Sequence, residues 1–490
     1  MQLNYLYIDN YKNLKDFKWE ISNDESYPIF CIIGQNGAGK SNLLEALVQI
    51  FNCLNYSQSV TPTFTFEIRY RIEYFNVIIK GKKNSKKDYQ VFIDGEEISF
   101  DTIHDSSSKW IYPKHGEKPE GILPENVIVY YSGYSNRMRL YFTKVNSDYA
   151  KIFRQGKSTN LPPLLLIEPI HFKMILLALF SFDSTFEAIY KDFLLKYFNI
   201  ESIESFSIHI KKHTNWIKDN RYKNYFDAKG VIKTFLITLD ELQKSENENS
   251  VLSEVEKAPF KLLSKNNPFI VNKVVYFFRK HESLINLKKI FGFESDIFKV
   301  LNVLYQSGYL ADISVNIKKI GITDTISFDD LSEGEQQLLA IKGCIELLWG
   351  KNNLFLWDEP DTYLNPRWQW NLIPDLEKQI GDKVEDQFIL TTHSPVLLST
   401  SKKGVFEMEN GKLSSVSKTY GLTINDALTR QEIEIQVDDV KRLYNNYLTL
   451  VQKGEGNTVE ALDLRRRLES LWGQNHPELI KANVYLKYYK

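Results

Sequence analysis

The sequence predicts an α/β nucleotide-binding fold with an antiparallel β meander, a helical insertion and a helical C-terminal tail. Three observations predict it. The first is Gly34-Gln35-Asn36-Gly37-Ala38-Gly39-Lys40-Ser41, which follows the apolar run Pro28-Ile29-Phe30-Cys31-Ile32-Ile33. A segment apolar at Leu43, Leu44, Leu47 and Phe51 comes next, so the order reads strand, glycine-rich loop, helix. The second is an ordered block from Leu331 to Pro395, where apolar runs end in Asp358-Glu359 and in His393. The third is a change of period, from strand-like alternation between Thr63 and Ile93 to helical runs between Ser147 and Ile290.

The glycine-rich stretch has the spacing of a P-loop. Glycines allow backbone N–H groups to converge on phosphate oxygens, and the helix N-terminus adds a favourable dipole. Lys40 is expected to reach the β- and γ-phosphates, and the Ser41 hydroxyl to ligate Mg²⁺. Gly34, Asn36, Gly37, Ala38, Gly39 and Asn42 make up the rest of the expected cradle.

Composition narrows the classes. At 490 residues the chain exceeds one ordinary core. Its 43% hydrophobic and 25% charged content is that of a water-soluble globular chain. A formal net charge of -1 does not announce nucleic acid, so any DNA contact requires a local patch. Cys31, Cys53 and Cys344 form no C-x-x-C pair, which argues against a zinc hook or disulfide scaffold and fits a reducing cytoplasm. Met1-Gln2-Leu3-Asn4 begins no leader pattern, and the most apolar segment, Met174 to Phe182, is too short for a bilayer. No membrane association is expected.

In chain order, Leu3 to Ile8 reads as an opening strand, and Asn10-Tyr11-Lys12-Asn13 follows it. After the P-loop helix, Thr63–Ile72, Tyr74–Ile79 and Tyr89–Ile93 alternate as a meander. The run Lys80-Gly81-Lys82-Lys83-Asn84-Ser85-Lys86-Lys87 reads first as a solvated hairpin loop, and second as a phosphate-contacting tip. Asp105 to Pro119 reads as a polar loop, and Val127–Tyr131 as a buried strand. The helical runs of the insertion carry no lasting heptad, which predicts a compact lid and not a coiled-coil arm. His209 and His213 lack an acidic neighbour and read as ordinary core or surface histidines. Strand character returns at Ala311–Ile317 and Thr325–Phe328.

Each part of the second block has a physical task. Apolar residues before Asp358 make a buried strand whose end projects a carboxylate toward Mg²⁺. Glu359 can orient the attacking water or accept its proton. Ser332 and Gly334 open a helix and make a second phosphate receptor. His393, at a strand end, can hydrogen-bond a γ-phosphate.

These positions together resemble the ABC-type ATPases of the branch that includes SMC proteins, RecF and the overcoming-lysogenisation nucleases. The matches are the Walker A loop Gly34–Ser41, the signature Ser332-Glu333-Gly334-Glu335, Walker B Asp358 with Glu359, the D-loop from Asp361, and the switch His393. The resemblance implies ATP and Mg²⁺ as ligands and hydrolysis to ADP and phosphate. It also implies a head-to-tail homodimer in which the signature of one copy completes the site of the other. It places Lys12 near the phosphates; no Q-loop glutamine is assigned, and the strand-end segment Tyr131-Ser132-Gly133 is the expected place of that region.

The rest of the chain selects among relatives. About 70 residues follow Gly421, fewer than an ordinary TOPRIM nuclease domain needs. They contain two amphipathic segments, Val437–Val451 and Val459–Trp472, the second with Arg465-Arg466-Arg467, preceded by Thr419–Leu428. The tail and compact insertion resemble the ATPases of bacterial antiphage systems, the Septu ATPase PtuA and its retron-associated relatives. That resemblance implies a separately encoded HNH-type nuclease partner and, in retrons, a reverse transcriptase with its non-coding RNA. The alternatives are a RecF-like repair ATPase and an ATP-bound scaffold with incidental turnover. The expected divisions are an N-terminal ATPase lobe (1–146), the helical insertion (147–310), a C-terminal ATPase lobe (311–420) and a partner-docking tail (421–490).

Overall fold

A computed structural model describes the chain except for residues 22–26, 57–59, 87, 102–111, 114–118, 134–136, 157–159, 183–186, 212–224, 226–227, 249–272, 280, 349, 351, 382–384, 417–437, 474–475 and 489–490. His213, Lys87, most of the 105–119 loop and Thr419–Leu428 therefore lie outside the described residues. The chain divides into two compact units, Met1–Gly421 and Leu422–Lys490.

The centre of the first unit is a seven-stranded sheet. Its order is Leu164–Ile167, Val127–Tyr131, Leu354–Asp358, Gln387–Thr391, Ile29–Ile33, Val405–Glu409, Lys412–Ser415. All neighbours run parallel except the last pair. Phe-Ile-Leu-rich strands such as Ile29–Ile33, Leu354–Asp358 and Gln387–Thr391 are buried at every position, as expected of strands covered on both faces. Phe355 and Phe388 stack across adjacent strands with centroids 4.4 Å apart.

A six-stranded antiparallel sheet lies beyond the P-loop helix Lys40–Asn55. The meander forms as Phe66–Ile72, Phe75–Gly81 and Tyr89–Ile93, extended by Glu96–Ile98. The opening strand Gln2–Tyr11 also belongs to it, paired between Leu14–Glu20 and Phe66–Ile72. One apolar cluster joins Leu6 and Ile8 of this sheet, Leu43, Leu47 and Phe51 of the helix, and Phe30 and Leu356 of the central sheet. Sandwiched between two sheets, the helix buries thirteen of its residues, far more than a one-sided stripe.

The insertion is built largely of helices: Arg139–Arg154, Pro169–Phe180, Glu187–Phe198, Gly230–Glu248, His281–Phe291 and Glu294–Gln306. It also contributes strands. Leu164–Ile167 extends the central sheet, while Ile200–Lys211 and Lys273–Phe278 join Leu310–Lys319 and Ile326–Ser327 in a second antiparallel sheet. The strand Ile200–Lys211 buries Ile200, Ile203 and Phe206 at three-residue spacing. Register shifts between Ile200 and Ser202 and between Ile203 and Ser205 create that spacing, so bulges imitate a helical period. His209 sits on this strand with Nε2 2.8 Å from Ser207 Oγ.

Among the described residues the second unit holds three helices, Asp438–Gln452, Val459–Trp472 and Pro477–Tyr488. Tyr447, Val451, Ala461, Leu468, Leu479 and Ala482 form its core. The arginine run is partly structural: Arg465 pairs with Glu469 and donates to the Leu479 carbonyl at 3.2 Å. Among the described residues no helix is long and apolar enough to cross a membrane.

Candidate functional site

The parallel sheet brings three strand ends together. Ile29–Ile33 runs into Gly34, Leu354–Asp358 ends on Asp358, and Gln387–Thr391 leads to His393. Gly34, Gly37 and Gly39 all have positive φ, as the turn into the helix requires. A Cβ on Gly34 would lie 2.2 Å from the Met408 carbonyl oxygen, so the loop is also tight against its neighbour. The crest Gln35, Asn36 and Gly37 is exposed.

Lys40 is folded back over this loop. Its ammonium donates to the carbonyls of Gly34 at 2.8 Å and Gln35 at 3.2 Å. It also lies 2.8 Å from His393 Nε2, which in turn is 3.3 Å from Glu359 Oε1. Nε2 can accept from Lys40 or donate to Glu359 but not both, so its protonation selects the partner. Burial pushes the Lys40 ammonium down to about 8, against the attraction of Glu359 and Asp358. The hydrogen bond with His393 holds the Glu359 carboxyl below the ordinary glutamate value, outweighing burial.

Glu359 stands at φ 52. Its N–H donates to the Thr391 carbonyl at 3.1 Å and to the Thr391 hydroxyl at 3.2 Å, which fixes the turn after the strand. Asp358 is buried and accepts from the hydroxyls of Thr391 and Ser41. Burial raises its pKa, and these two bonds oppose the rise. A buried carboxylate beside a serine hydroxyl is an oxygen donor set that suits Mg²⁺. Ser41 and Asp358 would hold that ion.

Asp361 is buried and accepts from Thr392 Oγ1 at 2.7 Å; among the described residues its Oδ1 has no partner. Burial pushes its carboxyl up to about 6. With Glu359, Thr362, Gln369 and His393 it lines a cavity of about 340 Å³. The segment Tyr131–Gly133, where the Q-loop was expected, lies alongside: Tyr131 pairs with Asp358 in register, and the Ser132 N–H donates to the Asp358 carbonyl at 3.3 Å.

The signature is built differently. Ser332 Oγ donates to Glu335 Oε2 at 2.9 Å, and the Glu335 N–H returns a bond to Ser332 Oγ at 3.3 Å. This is a capping box on the helix Glu333–Leu348. Lys319 pairs with Glu335 and, with the bonds from Ser332, holds its carboxyl below the ordinary value against burial. A Cβ on Gly334 would meet the Tyr363 carbonyl oxygen at 2.5 Å, so only glycine lets the signature approach the D-loop. Gln337 binds both sides of that contact, accepting from the Tyr363 N–H at 3.0 Å and donating to Tyr130 OH at 3.1 Å. Among the described residues no hydrogen bond or ion pair joins Ser332, Gly334 or Glu335 to Gly34–Ser41.

Lys12, expected near the phosphates, is instead paired with the buried Glu45 on the P-loop helix. Arg137 pairs with the same carboxylate and donates to Asn42 Oδ1 at 2.6 Å; Tyr11 OH donates to it at 2.9 Å. Burial raises the Glu45 pKa, and the bonds from Arg137, Lys12 and Tyr11 overcome that rise and bring it below the ordinary value. Asn13 is the member of the Asn10–Asn13 segment that touches the loop. It donates to the Ala38 carbonyl at 2.8 Å and accepts from Asn42 Nδ2 at 2.7 Å. Arg137, Asn13 and Gln337 carry no motif spacing of their own. Only Asn13, in the turn beside Lys12 (φ 55), had a signal nearby.

The AAA ATPase domain family (AAA_15) matches residues 1–398. The chain belongs to that family. The ATPase is related to retron-associated proteins at low identity. It is 25% identical over 252 residues to "Retron Vc95 probable ATPase" of Vibrio cholerae serotype O1 biovar El Tor, covering 47% of this chain. That match spans about half the length of the Vibrio protein, 46%. It is 22% identical to "Retron Ec83 probable ATPase" of Escherichia coli over 530 aligned positions, covering 98% of this chain and 86% of the relative. Among solved structures it is similar to the Smc head domain of Pyrococcus furiosus, with 13% identity, TM-score 0.34, and coverage of 88% and 99% of the two chains. The SMC head domain of Thermotoga maritima gives 13% identity, TM-score 0.33, and coverage of 85% and 99%. The ATPase has a mixed α/β fold, with its parallel central sheet, antiparallel sheets, insertion and C-terminal helices.

Proposed function

We propose that this ATPase hydrolyses ATP as a head-to-tail homodimer and thereby gates a separately encoded HNH-type nuclease in a bacterial antiphage complex. One observation carries the dimer: Lys40, Glu359 and His393 meet at one cluster, while the signature Ser332–Glu335 is capped within itself and makes no bond to its own P-loop. A second copy is the natural source of the missing signature.

In this reading Lys40 exchanges the Gly34 and Gln35 carbonyls for the β- and γ-phosphates. His393 leaves Lys40 and hydrogen-bonds the γ-phosphate, which frees Glu359 to orient water for in-line attack. Mg²⁺ bound at Ser41 and Asp358 supplies charge neutralisation of the phosphates. Glu359 receives the water proton as the bond to the leaving ADP oxygen breaks. Bringing Ser332 and Gly334 of the second copy over the γ-phosphate makes the dimer depend on the nucleotide. The helices of Leu422–Lys490 are the proposed docking element for the nuclease, with a retron reverse transcriptase and RNA as further partners.

The test is sedimentation of Glu359→Gln with ATP and Mg²⁺. The expected result is a stable dimer that reverts to monomer when Ser332→Arg is added. A dimer unchanged by Ser332→Arg, or wild-type turnover in Glu359→Gln, would overturn the reading.

A further inference from the structure

Behind the signature helix lies a cavity of about 560 Å³ bounded by three elements: the end of Glu187–Phe198, the middle of Glu333–Leu348, and the start of Pro366–Ile380. None of its lining residues belongs to the P-loop, to Asp358-Glu359 or to His393. Its volume is that of a small-molecule site, about 300–1,000 Å³.

The charge arrangement is unusual for a structural cleft. Lys196, Lys342 and Arg367 line it, and Asp375 is the one carboxylate among its lining residues. Lys342 takes that carboxylate at 2.9 Å and sits 4.2 Å from the centre of the Tyr197 ring. Lys342 is buried with a side-chain exposure of 3%, and the nearby Lys196 opposes its charge. Asp375 is thereby engaged by Lys342, Lys196 donates to Tyr197 OH at 3.1 Å, and neither Lys196 nor Arg367, both lining the cavity, has an ion pair among the described residues. A cleft lined by an excess of cations concentrates anions.

The remaining walls define the anion. Trp368 supplies aromatic surface, which phosphate alone would not use, while the Tyr197 ring carries the Lys342 ammonium at 4.2 Å and the Lys196 ammonium at 4.8 Å. Asn365 gives its side-chain oxygen to the Trp368 N–H at 3.0 Å and Asn371 gives its NH₂ to the Arg367 carbonyl at 3.0 Å. One amide NH₂ and one amide oxygen are left, a donor and an acceptor suited to the edge of a base.

We propose that this cavity binds a nucleoside phosphate, separate from the P-loop site. The phosphate lies on Lys196 and Arg367, and the base lies against Trp368. Lys342 and Leu338 belong to the signature helix, and the Trp368 ring lies 3.6 Å from where a Cβ on Gly334 would stand. An occupant therefore rests on the element that the proposed dimer requires, although its binding does not depend on that dimer. A free nucleotide and the terminal nucleotide of a single strand offer the same chemistry.

The experiment is equilibrium dialysis of AMP, ribose 5-phosphate and a 5′-phosphorylated single-stranded oligonucleotide against the Lys40→Ala chain, whose P-loop lacks its phosphate-binding cation. Saturable AMP binding is expected, weakened at least about tenfold by Lys196→Glu with Arg367→Glu, two exposed positions whose charge-assisted bonds are lost. Trp368→Leu should erase the advantage of AMP over ribose 5-phosphate and spare binding of the sugar phosphate. Binding of AMP but not the oligonucleotide assigns a free nucleotide; binding of both assigns a strand end. No saturable AMP binding, binding undiminished by the double reversal, or AMP no tighter than ribose 5-phosphate before Trp368 is changed would overturn the proposal.

Discussion

The P-loop cluster and the signature, proposed above as two halves of one chemistry, are built on opposite principles. The first is assembled by long-range topology: strand ends from residue 33, residue 358 and residue 391 deliver Lys40, Asp358, Glu359 and His393 to one place. Its polar groups are bonded to one another across more than three hundred residues, as Lys40 is to His393. The signature is assembled locally, with Ser332 and Glu335 satisfying each other across one helical turn. A site made by topology is complete as soon as the sheet forms. A site made by a helix cap is stable alone and free to be offered to another surface.

The largest effect that sharpens this contrast is expected from Glu359→Gln. Its turnover should fall about 10²- to 10⁴-fold while ATP binding is retained, as measured by phosphate release and by nucleotide titration. Lys40→Ala should lose about 10²-fold or more in affinity for ATP through loss of its charged donor. Ser332→Arg should bind ATP like the unaltered chain and yet fail to turn it over. Mixing Lys40→Ala with Ser332→Arg tests the comparison directly. In a head-to-tail pair one composite site is then intact, so phosphate release should return in the mixture. A silent mixture would break the division into two halves.

Stability gives a smaller and cleaner contrast. Glu45 is fully buried while its partners Lys12 and Arg137 are 42% and 33% exposed. Glu45→Ala strands Arg137 and Tyr11 against the P-loop helix and should cost about 3 kcal/mol. Lys12→Ala leaves Arg137 in place and should cost less than about 1 kcal/mol. Urea denaturation measures both. The smallest effect concerns Asp361, whose carboxyl is raised to about 6 by burial from an ordinary value of 3.8. The folded state binds the proton more tightly, so stability from this group is full below pH 3.8 and is lost as pH rises through 6. Asp361→Asn should therefore raise the melting temperature at pH 7.5 and have progressively less effect toward pH 4.

Much of the first half was legible because its residues lie on uninterrupted apolar strands that announce themselves, such as Ile29–Ile33 and Leu354–Asp358. The meander was legible from its alternation, although nothing local said that Gln2–Tyr11 would cross to pair with Phe66–Ile72. The strand Ile200–Lys211 was hidden, because its bulges give Ile200, Ile203 and Phe206 a helical period. Lys12 had the right charge and the right neighbourhood, but a buried carboxylate one helical turn beyond Ser41 competes for it. Arg137 has no motif at all; only the fold sets it beside Asn42 and Glu45. Sequence spacing marks residues that face a ligand, and it is silent about residues that hold those residues in place.

The folded-back Lys40 has a kinetic meaning as well. Its carbonyl and imidazole contacts occupy in advance the bonding capacity that phosphate will claim, so nucleotide arrival is an exchange of partners and not the capture of a loose side chain. In the proposed reaction, the strength of these internal contacts bears on how readily nucleotide displaces them.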